Sequence, residues 1–126
     1  MRPSDNIKVE ALFDGRPDAL RLFQTVRRYI ESIGPVEVKA TRTQVSFTAG
    51  TAFVWIWLPQ LWVKKRPEDS ITLSFRLDHC ITDERISEVL EPRLGHWMHH
   101  LVIKGESDFD EVVRGWLREA YGLGEA

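Results

Sequence analysis

The stretch Ile71-Thr72-Leu73-Ser74-Phe75-Arg76-Leu77 alternates apolar and polar residues at every step. Side chains on a strand point to opposite faces in turn, so this pattern predicts a strand with one buried and one wet face. Antiparallel sheets commonly have that asymmetry, whereas buried parallel strands read as continuous apolar runs. The same period appears upstream, in Val36, Val38 and Ala40 and again in Val45 and Phe47. Ala49-Gly50-Thr51 reads as a short turn, which makes Phe53–Leu58 the hairpin partner of the strand before it. Downstream, Trp97 to Ile103 reads as a further strand.

Helices flank these strands. Asp14-Gly15-Arg16-Pro17 is a start signal, and Leu20, Phe23, Val26, Ile30 and Ile33 then recur on one helical face before Gly34-Pro35. At the other end, Phe109, Val112, Val113, Trp116, Leu117, Ala120 and Tyr121 share half of a helical wheel. Ser107 is the expected cap there, with Asp108, Asp110 and Glu111 in the first turn. Thr82 is expected to cap a short helix from Asp83 to about Glu91, ended by Pro92 and Gly95. The expected fold is α+β, ordered α-β-β-β-β-α-β-α. It is an antiparallel sheet of about five strands with the N- and C-terminal helices on one face.

The chain has 126 residues, 43% hydrophobic and 29% charged, which suits one domain with an ordinary core. Residues 1–126 read as that domain, with 1–11 as a loose N-terminal arm. Cys80 is the sole cysteine, so no internal disulfide forms. Met1 to Asn6 lacks the apolar core of a signal peptide, and no apolar run is long enough to span a bilayer. A cytoplasmic protein is therefore expected, with no membrane partner.

Charge is uneven. Residues 1–66 hold 11 basic and 6 acidic residues, and residues 67–126 hold 6 and 13. Such a split marks either a charged partner or two halves that mix their charges in the fold.

Strand 53–58 departs from alternation, because Phe53, Trp55 and Trp57 on one face oppose Val54, Ile56 and Leu58 on the other. A strand apolar on both sides needs cover on both sides. Its neighbours, however, carry Ser46, Thr48, Thr72, Ser74 and Arg76 on the face away from the helices. An apolar patch with a polar rim marks a ligand, a partner or a subunit interface, unless Pro59–Arg66 or the N-terminal arm folds over it. Either the odd or the even set of Phe53–Leu58 could face the helices, and only the odd set outward gives an aromatic floor.

The candidate ligand site is therefore Trp55 and Trp57 as floor and Arg76 as polar anchor. Trp62, Lys64, Lys65 and Arg66 form a rim, and His99 or His100 is a hydrogen-bonding member. On a strand, His99 and His100 point to opposite faces, so one is a core histidine and the other lies on the open face. Three cations beside an aromatic would also suit single-stranded nucleic acid, although an overall net charge of −2 argues against a dedicated binder.

Other chemistries find little support. There is no Gly-rich phosphate loop, no G-x-S-x-G elbow and no H-E-x-x-H pair. His79, Cys80, His96, His99 and His100 fit no standard zinc spacing, so neither metal nor cofactor is expected. The leading expectation is a non-catalytic binding module. The alternatives are a homodimer subunit joined through the same face, or a small enzyme using His99, His100 or Cys80.

Five segments carry a resemblance. They are Gly34-Pro35-Val36-Glu37-Val38, Thr43-Gln44-Val45-Ser46-Phe47, Phe53 to Pro59, Gly95 to Leu101 and Val113 to Tyr121. Together they resemble domain-of-unknown-function family 5655, a small bacterial domain similar to the C-terminal part of predicted transport proteins. Some of those carry a nuclease-like domain in front. The resemblance implies a fold and no established activity, cofactor or catalytic residue.

Overall fold

The computed structural model describes residues 9–41, 43–57 and 70–125, with side chains described up to residue 123. Among them six strands form one sheet in the order β1-β2-β3-β4-β6-β5, antiparallel throughout. The strands are β1 (Glu37–Ala40), β2 (Gln44–Ala49), β3 (Thr51–Trp57), β4 (Ile71–Leu77), β5 (Ile86–Arg93) and β6 (His96–Ile103). Two long helices, α1 (Pro17–Ile33) and α2 (Glu111–Glu125), pack on one face, and a helical turn at 9–12 precedes them. No helix among the described residues is long and apolar enough to cross a membrane.

α1 begins with proline in its first turn, where the missing N–H costs nothing, and buries Ala19, Leu22, Phe23, Val26 and Ile30. α2 begins at Asp110, whose Oδ1 accepts the N–H groups of Val112 and Val113, each at 3.1 Å. The cap is thus Asp110 and not Ser107, which lies in a 3₁₀ turn (Glu106–Asp108) ahead of the helix. Those two bonds hold the Asp110 carboxyl below the usual range, with Arg85 adding to the effect.

Register sorts the side chains into two faces. Phe47, Val54, Phe75 and His99 form one row across β2, β3, β4 and β6, and Val45, Ile56, Leu73 and Leu101 form the next. All eight are buried. This is the covered face: Phe23 of α1 meets Phe47 at 6.2 Å, and Trp116 of α2 stacks on Phe75 at 5.6 Å. Val9, inside the stretch expected as an arm, is buried in the same core with Leu12 and Phe13.

Two bulges decide where the sequence pattern misleads. In β3, Ala52 pairs with Thr48 and Val54 with Phe47, so Phe53 is an extra residue. The bulge turns Phe53 to the covered face beside Val54, and its ring meets Tyr121 edge-on at 5.5 Å. Phe53 therefore does not share a face with Trp55 and Trp57.

The second bulge corrects an element. Residues 83–91 were expected to be helical, yet 86–93 form strand β5, which brings the sheet to six strands. Ser87 is extra between the pairs Ile86–Leu101 and Glu88–His100. It places Ile86 and Val89 on one face, three residues apart, which imitates helical spacing. Asp83 caps a turn instead: its Oδ1 accepts from the Arg85 N–H at 2.9 Å, and its carbonyl from the Ile86 N–H at 3.0 Å. As an edge strand, β5 carries two irregularities and Pro92, features that discourage pairing with another chain.

Candidate functional site on the sheet face away from the helices

The even residues Val54 and Ile56 face the helices, so Trp55 and Trp57 lie on the other face, both half-buried. Register gives that face a row Ser46–Trp55–Ser74–His100–Glu88, running from β2 to β5. A parallel row runs Gln44–Trp57–Thr72–Val102, and beyond the first row Arg76 lies opposite Met98, which lies opposite Leu90.

Ser74 is the hub of the first row. Its Oγ lies 3.0 Å from Trp57 Nε1 and 2.5 Å from His100 Nδ1. An indole N–H only donates, so Ser74 Oγ accepts there. The arrangement that gives its own hydrogen an acceptor sends it to His100 Nδ1, leaving the imidazole hydrogen on Nε2. Burial lowers the His100 pKa from its ordinary value, while nearby Glu88 opposes the shift. His100 is thus neutral at pH 7, in keeping with its role as acceptor, and its ring stands edge-on to Trp57 at 6.3 Å.

A serine beside a histidine suggests a nucleophile, but Ser74 is 0% exposed. Its oxygen also receives the indole hydrogen bond, which withdraws electron density from any attack. The trio is better described as a latch that sets the angle of Trp57.

A second polar group sits at the end of the same face. Arg76 donates from one terminal nitrogen to His96 Nδ1 and from the other to Thr51 Oγ1, each at 2.9 Å. Its Nε is buried and has no hydrogen-bond partner.

His99 lies on the covered face, 0% exposed, and is no part of this surface. Its Nε2 accepts the Ile81 N–H at 3.1 Å, its ring stacks on Phe75 at 5.1 Å, and burial lowers its pKa. The structure therefore separates the histidine pair, with His100 on the face away from the helices and His99 in the core. The rim residues Trp62, Lys64, Lys65 and Arg66 lie outside the described residues. Cys80 is exposed in the loop after β4. There His79 is bound to Asp78 at 2.7 Å, which raises its pKa. Among the described residues no cluster of three or more His, Cys, Asp or Glu is placed to hold a metal ion.

Of this surface, Arg76 was expected as the polar anchor, Trp55 and Trp57 as one of two open choices for strand 53–58, and either His99 or His100 as a member. Ser74 was placed on the face without a role, and Thr51 and His96 were not assigned to it. Parity offered a signal for His96, because it stands four residues from His100 on one strand.

A family model described as "Domain of unknown function (DUF5655)" matches residues 9–124. The chain belongs to the DUF5655 family. No curated protein and no solved structure matches it. The family match spans all six strands and nearly all of α2, so both faces of the sheet fall within the DUF5655 domain.

Proposed function

We propose that this DUF5655 domain is a non-catalytic binding module whose site is the sheet face turned away from α1 and α2. The observation that carries this reading is the latch Trp57–Ser74–His100, which holds an aromatic side chain in one orientation through a buried serine and a half-buried histidine. A core needs no such device on a face that neither α1 nor α2 covers. Pre-ordering an aromatic floor reduces the entropy lost when a ligand docks. Half-buried Trp55 and Trp57 supply area, and Arg76, His96 and Thr51 supply sparse polar contacts at one end, the usual make-up of a small-molecule or peptide site.

The test is a ¹⁵N-resolved NMR screen of the whole chain against aromatic fragments and short oligonucleotides, with Trp55→Ser and Trp57→Ser variants beside it. Fragment shifts confined to β3, β4 and β6, and lost in either variant, are the expected result. Oligonucleotide shifts that fade steeply with salt would instead make the domain a nucleic-acid binder. A concentration-dependent mass with broadening over the same strands would assign the face to a second copy of the chain. Either outcome, or no shift at all, overturns the small-ligand reading.

A further inference from the structure

We infer that Arg76 is the anion subsite of the sheet face turned away from the helices and that it takes the carboxylate of a ligand with a planar apolar body. This rests on the binding-module reading and adds the chemical class of the ligand.

Arg21, Arg27, Arg85, Arg114 and Arg118 each lie within ion-pair distance of a carboxylate. Arg76 does not, among the described residues, although it is half-buried in the sheet face. Its guanidinium is held instead by two neutral acceptors, His96 Nδ1 and Thr51 Oγ1. Neutral acceptors orient a cation without cancelling its charge. On β5, Glu91 accepts the Gly95 N–H at 3.0 Å, and Glu88 lies across from His100, in the row beside that of Arg76.

Donor counting gives the same answer. A guanidinium has five N–H groups. Thr51 and His96 take two, and the buried Nε has no acceptor among the described residues. One N–H remains on each terminal nitrogen, and that fork matches the two oxygens of a carboxylate. Arg93 lies across from His96 on the same face and is likewise outside ion-pair distance of an acid among the described residues, but it is exposed, whereas Arg76 is half-buried and held by two side chains. Trp55 lies diagonally across β3 from Arg76, and Met98 lies directly opposite it on β6. A carboxylate on Arg76 would therefore lay its attached ring over apolar side chains.

The experiment compares benzoate with its neutral isostere benzamide as NMR titrants of the unmodified chain at low salt. It then repeats both with Arg76→Gln and with Thr51→Val, the latter removing one anchor and keeping the charge. Benzoate is expected to bind about tenfold more tightly than benzamide, shifting Thr51, Arg76 and Met98, with the preference lost in R76Q and reduced in T51V. Equal binding of the two probes on this face, or a preference that survives R76Q, overturns the carboxylate assignment while leaving the binding face intact. If neither probe shifts any residue of the face, both readings fall. The comparison in the unmodified chain decides the matter even if R76Q does not fold.

Discussion

The hydroxyl of Tyr121 occupies the space that a Cβ on Gly34 would take, and it donates to the Pro35 carbonyl at 2.9 Å. Glycine after a helix is usually explained by a left-handed backbone, but Gly34 is extended, with φ 169°. Its reason is room. The ring cannot retreat easily, since Phe53 packs edge-on against it. Gly34→Ala is expected to cost roughly 1–3 kcal/mol through overpacking. In a Tyr121→Leu background the same substitution should cost much less, because the obstruction is gone. Urea melts of the four proteins measure this, and equal costs in both backgrounds would refute the contact.

Acid should weaken the fold below about pH 6.5, the ordinary histidine value. His99 and His100 both have pKa values lowered by burial. The unfolded chain therefore binds protons near pH 6.5 that the folded chain refuses, so stability rises with pH across that window. The contribution is complete above 6.5 and declines as pH falls toward the folded values. His79 works in the opposite sense, but it is exposed and its effect is screened. Denaturant midpoints between pH 8 and 5 should fall on the acid side, and His99→Phe should flatten the slope. That variant should also lose about 1–3 kcal/mol at pH 8, since the Ile81 N–H loses its acceptor.

Four side chains stack in sequence from the core to the surface: His99, Phe75, Trp116 and, 5.5 Å above the indole, Arg85. Arg85 is fixed by Asp83 at 3.1 Å and Asp110 at 2.8 Å. Arg85→Ala should lower stability by roughly 1–3 kcal/mol. Arg85→Lys should recover only part of that, because an ammonium cannot bridge both carboxylates in the plane of a ring. Thermal melts of the two variants decide this, and full recovery by lysine would show that charge alone matters.

Trp57→Phe keeps an aromatic ring, though a smaller one, and removes the indole donor to Ser74. The expected cost is about 0.5–1.5 kcal/mol. The Ser74→Ala change should free the Trp57 indole N–H, seen as faster hydrogen exchange at that one resonance. Unchanged exchange would mean the latch is not formed in solution.

The parts of the fold open to sequence reasoning were those with an unbroken period. α1, α2, β2 and β4 show it, and each lies within a few residues of its expected position. β5 was hidden because the extra Ser87 converts a two-residue period into the three-residue step from Ile86 to Val89. Phe53 was assigned to the wrong face for the same reason. Alternation grouped Trp55 with Trp57 and set His99 and His100 on opposite faces, but the choice of face came only with the pairing of β3, β4 and β6. The bonds among them depend on β4 lying beside β6 rather than β5. No local pattern encodes that neighbour choice, which is why Ser74, Thr51 and His96 acquire their partners only in three dimensions.

The extra residue in β3 has a further meaning for how this strand tolerates change in length. Ala52 and Val54 hold their pairings with Thr48 and Phe47 on either side of Phe53. Excising Phe53 would thus leave every downstream pairing in step, with both tryptophans still turned away from the helices. The loss would fall on the seat of Tyr121. Strand length and aromatic face are separable here, so a one-residue deletion at this point would loosen the attachment of α2 and leave the surface composition as it is.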